Sequence, residues 1–212
     1  MMTRGLLISF EGIDGAGKTT QIKALKRELI AKGYKVSTLR EPGGTEISER
    51  IRELLLDSSN RINPVAEALL YAAARAQLVQ DVVQPLLNEG AIVLADRFID
   101  STIAYQGYGR GLDIEGLHRL NRLATGGLEP DLTILLDIPV DVSSSRRQGM
   151  LSDRIESEGL AFQDLVRQGY LEMASKLPRF RVIDGSLPEE SISAIIIDIV
   201  VKFLKGDCGI EN

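Results

Sequence analysis

The feature that most constrains the fold is a glycine-rich segment near the amino end, GIDGAGKT at residues 12–19. It follows an apolar run at residues 6–10, and an amphipathic stretch over residues 19–32 comes directly after it and ends at Gly33. Glycines let the backbone curl so that successive N–H groups point at one anion, and a following helix adds the positive end of its dipole. The segment therefore predicts a strand–loop–helix unit that binds nucleotide phosphates.

Two side chains of this segment suit the chemistry of a nucleoside triphosphate. Lys18 supplies a mobile positive charge for the β- and γ-phosphates, and the hydroxyl of Thr19 can ligate Mg²⁺. A chance glycine-rich turn is the alternative, which the flanking strand and helix disfavour. The motif indicates triphosphate binding and not a reaction, so an ATPase, a GTPase switch and a kinase remain open. The residues expected to contact the nucleotide are Gly12, Ile13, Asp14, Gly15, Ala16, Gly17, Lys18, Thr19 and Thr20.

The rest of the chain alternates short apolar runs with longer amphipathic stretches. The predicted strands are residues 6–10, 35–39, 91–95, 132–136 and 180–183. The predicted helices are residues 19–32, 47–56, 114–124, 160–176 and 189–204, together with a long stretch that starts at Pro64, runs toward Pro85 and stops by Gly90. Pro85 is expected to end or bend this stretch. This alternation predicts an α/β fold of the P-loop NTPase type, with a five-stranded parallel sheet and helices on both faces.

Length and composition limit the class of protein. The 212 residues, 44% of them hydrophobic, suffice for one compact domain, which we place at residues 1–206 with a polar tail at 207–212. A net charge of −5 gives no reason to expect nucleic-acid binding. The single cysteine, Cys208, cannot form an intrachain disulfide. The sequence shows neither a signal peptide nor a membrane span, so we expect a cytoplasmic protein.

A second anion site is predicted after the third strand, where Asp96 and Arg97 follow an apolar run. An aspartate in this position can hold Mg²⁺ or its waters. Asp137 ends the fourth strand and is a rival, but it lacks an adjacent arginine. The planar guanidinium of Arg97 suits the phosphate of an acceptor held in line with the γ-phosphate. An ion pair between Arg97 and Asp96 that merely stiffens the loop is the alternative.

A polar stretch at about residues 145–157 is predicted to be a short mobile lid. It carries Arg146, Arg147 and Arg154, and arginines brought in by closure would stabilise the charge of a migrating phosphoryl group and exclude water. The alternative is a solvated run of charges with no catalytic role.

Several motifs, in order along nearly the whole chain, resemble those of the thymidylate kinase family. They are FEGIDGAGKTT at 10–20, REPGGT at 40–45, DRF at 96–98 with AYQG at 104–107 and RG at 110–111, PDLT at 130–133, and DRIE at 153–156. The resemblance implies transfer of a phosphoryl group from ATP to dTMP with Mg²⁺ as cofactor, in the supply of nucleotides for DNA synthesis. It also implies a homodimer whose small-molecule partners are ATP and dTMP.

The resemblance further implies roles for individual residues. Asp14 would lie near the acceptor phosphate and metal, and Arg97 would hold that phosphate. Tyr71 would stack on thymine and Arg75 would face the base, an aromatic surface plus a donor for a carbonyl edge. Taken alone, a tyrosine in such a helix is more often a core residue than a binding residue. The remaining acceptor-site residues are Glu41 and Pro42 on the phosphate and sugar side, Ser101 and Gln106, Thr102 near the base, and Tyr105 beside the sugar, where it disfavours a 2′-hydroxyl.

One departure from the family pattern bears on catalysis. Some members carry an arginine in the phosphate loop, at the position where this chain has Gly15. This chain therefore resembles the class of members that supplies the catalytic arginine from the lid. Which of the three lid arginines acts is left open. Rival readings are a kinase for dUMP, CMP or GMP, a P-loop ATPase switch with a protein partner, and a nucleoside kinase with Glu11 or Asp14 as its base.

Overall fold

The computed structural model describes residues 4–149 and 153–206. Its five strands are β1 (Leu6–Glu11), β2 (Val36–Arg40), β3 (Ile92–Asp96), β4 (Leu132–Asp137) and β5 (Phe180–Asp184). They pair in parallel in the order β2-β3-β1-β4-β5, so that β1 lies at the centre. The predicted α/β fold with a five-stranded parallel sheet is confirmed.

Helices connect the strands. They are α1 (Lys18–Ala31), α2 (Glu46–Leu56), α3 (Pro64–Leu78), α4 (Gln84–Asn88), α5 (Ile99–Thr102), α6 (Ile114–Thr125), α7 (Val140–Arg146), α8 (Leu160–Lys176) and α9 (Glu189–Leu204). Two π-helical segments occur at Val79–Val83 and Ile103–Gly109, and a 3₁₀ turn at Glu156–Glu158. No helix among the described residues combines the length and the apolar composition that crossing a bilayer requires.

The central strand is buried on both faces, as a parallel sheet between two helix layers requires. Leu7 packs in a cluster with Val93 and Leu78, whereas Ile8 and Phe10 belong to a second cluster on α1 and α8. This burial explains why the strand predictions from continuous apolar runs succeeded.

Two helical regions show more than the sequence pattern predicted. The helical stretch that begins at Pro64 ends at Asn88, before Gly90 as predicted, and Pro85 does not end it; a π-helical segment at Val79–Val83 precedes the proline. Pro85, which lacks an N–H, thus lies inside a continuous helical stretch that is π-helical just before it. The start of the polar stretch assigned to the lid is also helical, since α7 reaches Arg146. Residues 150–152 of the lid, and the tail with Cys208, lie outside the described residues.

The sheet sets the location of the polar motifs. The carboxyl ends of β1, β2 and β3 lead into residues 12–17, residues 41–45 and Arg97, respectively. Because parallel strands end at the same edge, these three motifs meet where α/β proteins bind ligands.

Candidate active site

A cleft of about 530 Å³ opens at this edge of the sheet. The structure brings most of the predicted residues together around it. The predicted residues that line the cleft are Asp14, Gly15, Gly17, Lys18, Thr19, Thr20, Glu41, Pro42, Tyr71, Arg75, Asp96, Arg97, Ser101, Thr102, Tyr105, Gln106, Arg146 and Arg147.

The phosphate loop has the backbone that its glycines allow. Gly12 has φ 132°, and a Cβ there would approach the carbonyl oxygen of Leu136 to 2.4 Å, so only glycine fits. The amine of Lys18 donates to the carbonyl oxygens of Gly12 (3.0 Å) and Ile13 (3.1 Å), and its burial, together with Arg97, lowers its pKa. The side chains of Ile13 and Ala16 face the core, so these residues offer the cleft only their backbone.

Two oxygen-bearing side chains meet at the end of the loop. The hydroxyl of Thr19 donates to the carboxylate of Asp96 at 2.7 Å, and both line the cleft. The rival Asp137 instead accepts two hydrogen bonds from Arg167, at 2.6 and 2.8 Å. This pairing is structural, so of the two strand-end aspartates it is Asp96 that lies at the phosphate loop.

The donor set at Thr19 and Asp96 fits Mg²⁺. Hydroxyl and carboxylate oxygens are the ligands that this ion prefers, and it usually keeps waters and phosphate oxygens as further ligands. Among the described residues, no group of three or more His, Cys, Asp or Glu side chains could form a complete metal cage. The residues therefore suit an ion that arrives with a nucleotide.

Arg97 connects the phosphate loop to the opposite side of the cleft. Its φ is 71°, which is uncommon for a residue other than glycine, and its backbone N–H donates to the carbonyl oxygen of Phe10 at 3.0 Å. The guanidinium donates to Asp14 at 2.6 Å, to the hydroxyl of Tyr105 at 2.9 Å and to that of Tyr170 at 3.1 Å. A strained backbone held by so many bonds is typical of a functional position.

The charged groups around Arg97 keep the carboxyl of Asp14 ionised. Burial raises the pKa of Asp14, but the charges of Arg97 and Lys18 outweigh it and lower that pKa to about 2. Arg97 pairs with Asp14 and Asp96 with Thr19, so the alternative of an Arg97–Asp96 pair is not what the structure has. The guanidinium and the amine of Lys18 thus flank one carboxylate at the floor of the cleft.

The side predicted for the base contains a buried ion pair. The guanidinium of Arg75 is 2.6 Å from the carboxylate of Glu41 and also donates to Thr102 (2.8 Å) and to Asn121 (2.7 Å). Glu41, expected on the phosphate and sugar side, is therefore first of all the partner of Arg75. Tyr71 lies one turn before Arg75 on α3 and lines the cleft, as its predicted stacking role requires.

The three lid arginines occupy different places. Arg146 donates to the carbonyl oxygens of Gly15 (3.2 Å) and Gly185 (3.0 Å). Arg147 lines the cleft near Asp14, and its Nε is buried without a hydrogen-bond partner in the described part of the chain. Arg154 does not line the cleft, because its guanidinium lies 2.7 Å from the carboxylate of Glu67.

The comparisons with known proteins agree on one family. The family model described as thymidylate kinase matches residues 10–196, which is most of the chain. The chain belongs to the thymidylate kinase family. Thymidylate kinases of Caldanaerobacter subterraneus subsp. tengcongensis and of Thermoanaerobacter sp. (strain X514) are 48% and 49% identical to it, over 96% and 95% of this chain and 98% and 100% of theirs. A thymidylate kinase of Geobacter sp. (strain M21) is 52% identical over 86% of this chain and 85% of its own.

Some residues that shape the cleft were not found from the sequence. Glu11 was considered only as a base for a nucleoside kinase, but it is fully buried and does not line the cleft. Its carboxylate accepts hydrogen bonds from the backbone N–H of Phe98 (2.8 Å), from Ser101 (2.6 Å) and from Tyr170 (2.9 Å). It therefore fixes the loop that carries Arg97. Tyr170, 159 positions away along the chain, has no sequence signal that could have pointed to this contact.

The buried carboxyl of Glu11 predicts a pH dependence of stability. Burial and the charge of Asp100 raise its pKa from 4.5 to about 7. The folded protein then binds this proton more tightly than the unfolded chain does, so the free energy of unfolding should fall as the pH rises from about 4.5 to about 7. In Glu11→Gln this fall should be shallower. Urea unfolding of both proteins at pH 5, 6 and 7 checks it, and parallel profiles would contradict the assignment.

Proposed function

We propose that this chain transfers the γ-phosphoryl group of ATP to dTMP, giving ADP and dTDP, with Mg²⁺ as cofactor. One observation carries the proposal beyond family membership: a second cation lies at the phosphate loop beside Lys18. It is the guanidinium of Arg97, which contacts Asp14 at 2.6 Å and donates to the carbonyl oxygen of Gly12 at 3.0 Å. A triphosphate site alone does not require a second cationic group at this position. A second phosphate does, because its negative charge must be held next to that of the first.

The donor half of the site follows from the phosphate loop. The backbone N–H groups of residues 12–17 and the start of α1 would bind the β- and γ-phosphates, and Lys18 would exchange its bonds to loop carbonyls for bonds to phosphate oxygens. Bound through Thr19 and Asp96, Mg²⁺ would neutralise charge on the phosphates during transfer. These groups hold the γ-phosphoryl group in a fixed position.

The acceptor half is built around Arg97. Its planar guanidinium would hold the phosphate of dTMP, with Asp14 keeping the guanidinium in position through the 2.6 Å contact. The attacking oxygen belongs to a phosphate that is already ionised, so no strong general base is needed. Alignment and charge neutralisation would supply the rate enhancement.

The proposed contacts to the base and the sugar of dTMP come from other side chains that line the cleft. Tyr71 would offer its ring to thymine, and Arg75 and Thr102, hydrogen-bonded to each other at 2.8 Å, would face the polar edge of the base. Tyr105 and Gln106 would lie beside the sugar, with Ser101 behind Arg97.

Among the lid arginines, Arg147 suits the transferred phosphoryl group best. It lines the cleft and has a buried Nε that no described protein group binds, whereas both Arg146 and Arg154 are committed to protein partners. Burying a donor without a partner is costly, so a ligand that accepts from Arg147 would be stabilised. Arg146 would instead connect the lid to the phosphate loop.

A survey of acceptors tests the proposed reaction. ATP and Mg²⁺ are mixed with dTMP, dUMP, CMP, GMP or thymidine, and ADP release and the phosphorylated product are measured. We expect dTMP to have the highest kcat/KM and thymidine to give no dTMP. Equal turnover with a purine acceptor, or ATP turnover that no monophosphate changes but a protein partner raises, would contradict the proposal.

We also propose that the chain forms a homodimer through an apolar face on α2, α3 and α6. Four exposed side chains mark this face, namely Leu54, Val65, Leu69 and Leu123, the last of them 81% exposed. The three helices pack side by side, and Val65 and Leu69 are one turn apart on α3. A contiguous apolar face on a monomer is uncommon unless another surface covers it.

The variant Leu69→Glu tests this dimer. A charge at the centre of the face should make the protein run as a monomer of 23.2 kDa, while the unchanged chain runs at twice that mass. Light scattering after size exclusion measures both. Leu160→Glu, at a similarly exposed leucine on α8, is the matched control and should remain dimeric. A monomeric unchanged chain would contradict the dimer.

A further inference from the structure

Glu67 is a fully buried carboxylate on α3 that the proposed reaction does not use. Its Oε1 accepts hydrogen bonds from Gln106 (2.9 Å) and from Nε of Arg110 (3.2 Å). Its Oε2 accepts from Nη2 of Arg110 (3.1 Å) and lies 2.7 Å from Nη2 of Arg154. One carboxylate therefore joins α3, the π-helical segment Ile103–Gly109 with the arginine that follows it, and the far end of the lid.

The cluster around Glu67 is balanced in charge. Arg110 also pairs with Glu158 at 2.6 Å, so two guanidiniums face two carboxylates. The hydrogen bonds from Arg110 and Gln106, with the positive charge of Arg110, outweigh burial and lower the pKa of Glu67, which keeps it ionised at neutral pH. An apolar cluster of the same size would usually be no less stable, so the ionic cluster calls for another role.

Arg154 is held at both its backbone and its side chain. Its N–H donates to the carbonyl oxygen of Leu56 at 3.1 Å, and its Nε donates to that of Leu55 at 2.7 Å. These bonds fix residues 153–158 against the end of α2, while the ion pair to Glu67 fixes them to α3. Arg154 is the last arginine of the predicted lid, so the lid is attached to the body of the domain at this point.

The groups held by this cluster belong to the cleft. Asp153, Ile155 and Glu156 line it on the lid side, and Gln106 lines it beside Tyr105. Tyr71 lies one helical turn after Glu67 on α3, and the negative charge of Glu67 contributes to raising its pKa. A shift of the Glu67 cluster would therefore move three parts of the acceptor side at once.

We propose that Glu67 is a positioning residue, which through Arg154 and Gln106 sets the lid end and the sugar side of the cleft relative to Tyr71. The proposal rests on the proposed function, since it concerns how the acceptor is held. Glu67 itself touches no substrate. A contribution to folding stability alone is the competing explanation, and kinetics separates the two.

The test uses three variants, namely Glu67→Gln, Arg154→Met and the double variant that carries both changes. Glu89→Gln is the control. Glu89 pairs with Lys35 on the surface, at the edge of the sheet opposite the cleft. The variants that break the cluster should lower kcat/KM for dTMP about tenfold or more, through a raised KM for dTMP together with a lowered kcat, because misplaced groups remote from the reacting atoms are costly. The KM for ATP should stay within about twofold, and the double variant should resemble the more affected single variant, because the two residues act as one unit.

Hydrogen exchange supplies a readout that does not depend on turnover. In Glu67→Gln and Arg154→Met, a peptide that covers residues 153–158 should exchange faster without any nucleotide, and added dTMP should protect it less than in the unchanged chain. The control should match the unchanged chain in both respects. If Glu67→Gln does not fold, Arg154→Met alone decides, since Arg110 and Gln106 still bind Glu67 in that variant.

The outcomes separate this inference from the proposed function. An unchanged chain that neither phosphorylates dTMP nor is protected by it would overturn the proposed function. An active unchanged chain, with variants that lose only thermal stability and keep their dTMP saturation and exchange behaviour, would overturn the positioning role of Glu67.

Discussion

Replacing Lys18 by alanine is expected to lower kcat by about 10³-fold or more, because it removes a positive charge from the β- and γ-phosphates in a site shielded from water. The amine is buried at the phosphate loop and its two bonds go to loop carbonyls. Its charged neighbour Asp14, 4.0 Å away, keeps its ion pair with Arg97, so the substitution leaves no unpaired charge. We expect the fold to persist. Steady-state ADP release with saturating ATP and dTMP measures the effect.

The matched control for Lys18→Ala is Lys23→Ala, an exposed lysine on the same helix. It should leave kcat unchanged and shows that the loss is not caused by a shorter side chain on α1. If Lys18→Ala kept more than a tenth of the activity while still binding ATP, the proposed role of the phosphate loop in the reaction would be wrong.

Replacing Arg97 by methionine is expected to reduce kcat/KM for dTMP by about 10²–10³-fold, mostly through a raised KM. The variant would lose the charge pair between the guanidinium and the acceptor phosphate, and truncating one partner of a buried, hydrogen-bonded charge pair costs about 2–5 kcal/mol. Asp14, which contacts the guanidinium at 2.6 Å, also loses its partner, and that loss affects the stability of the free enzyme. The KM for ATP should change little, because the phosphate loop and Thr19 are retained.

Two measurements accompany the Arg97→Met variant. Its free energy of unfolding shows how much of the change reflects the unpaired Asp14, and Arg27→Met, at an exposed arginine on α1, is the control for loss of a guanidinium elsewhere. A variant with unchanged dTMP saturation would remove Arg97 from the acceptor site.

The sequence predicted most of what depends on local pattern. Residues 12–19 identified the phosphate loop, and apolar runs placed the three inner strands, β1, β3 and β4, because a buried parallel strand needs no polar positions. The edge strands β2 and β5 are more exposed and contain polar residues, but they too lie where they were predicted. Of the two candidate aspartates, Asp96 accepts a hydrogen bond from the hydroxyl of Thr19, whereas Asp137 binds Arg167. The role of Asp96 as a magnesium ligand stays a prediction. Each of these inferences depended only on residues that are adjacent in sequence, or on the rule that parallel strands end at the same edge of the sheet.

Contacts between distant residues could not be predicted in this way. Glu11 and Tyr170, or Glu41 and Arg75, meet only because separate elements pack together, and no spacing in the sequence indicates it. Arg154 shows the same limit. Its place in a polar, arginine-rich stretch suggested a contact with phosphate, but a buried carboxylate on α3 binds it instead. The sequence pattern shows which side chains can bind a phosphate or form an ion pair. The fold determines which partner each of them meets.

The most direct test of the central claim, that Lys18 and Arg97 at the phosphate loop hold two different phosphates, is a crystal structure of the complex with ADP, Mg²⁺ and dTMP. It should show the dTMP phosphate within about 3 Å of the guanidinium of Arg97, in hydrogen-bonding contact. The β-phosphate of ADP should lie in the loop at Lys18, with room between the two for one phosphoryl group. A dTMP phosphate bound away from Arg97, or a gap too wide for transfer, would contradict it.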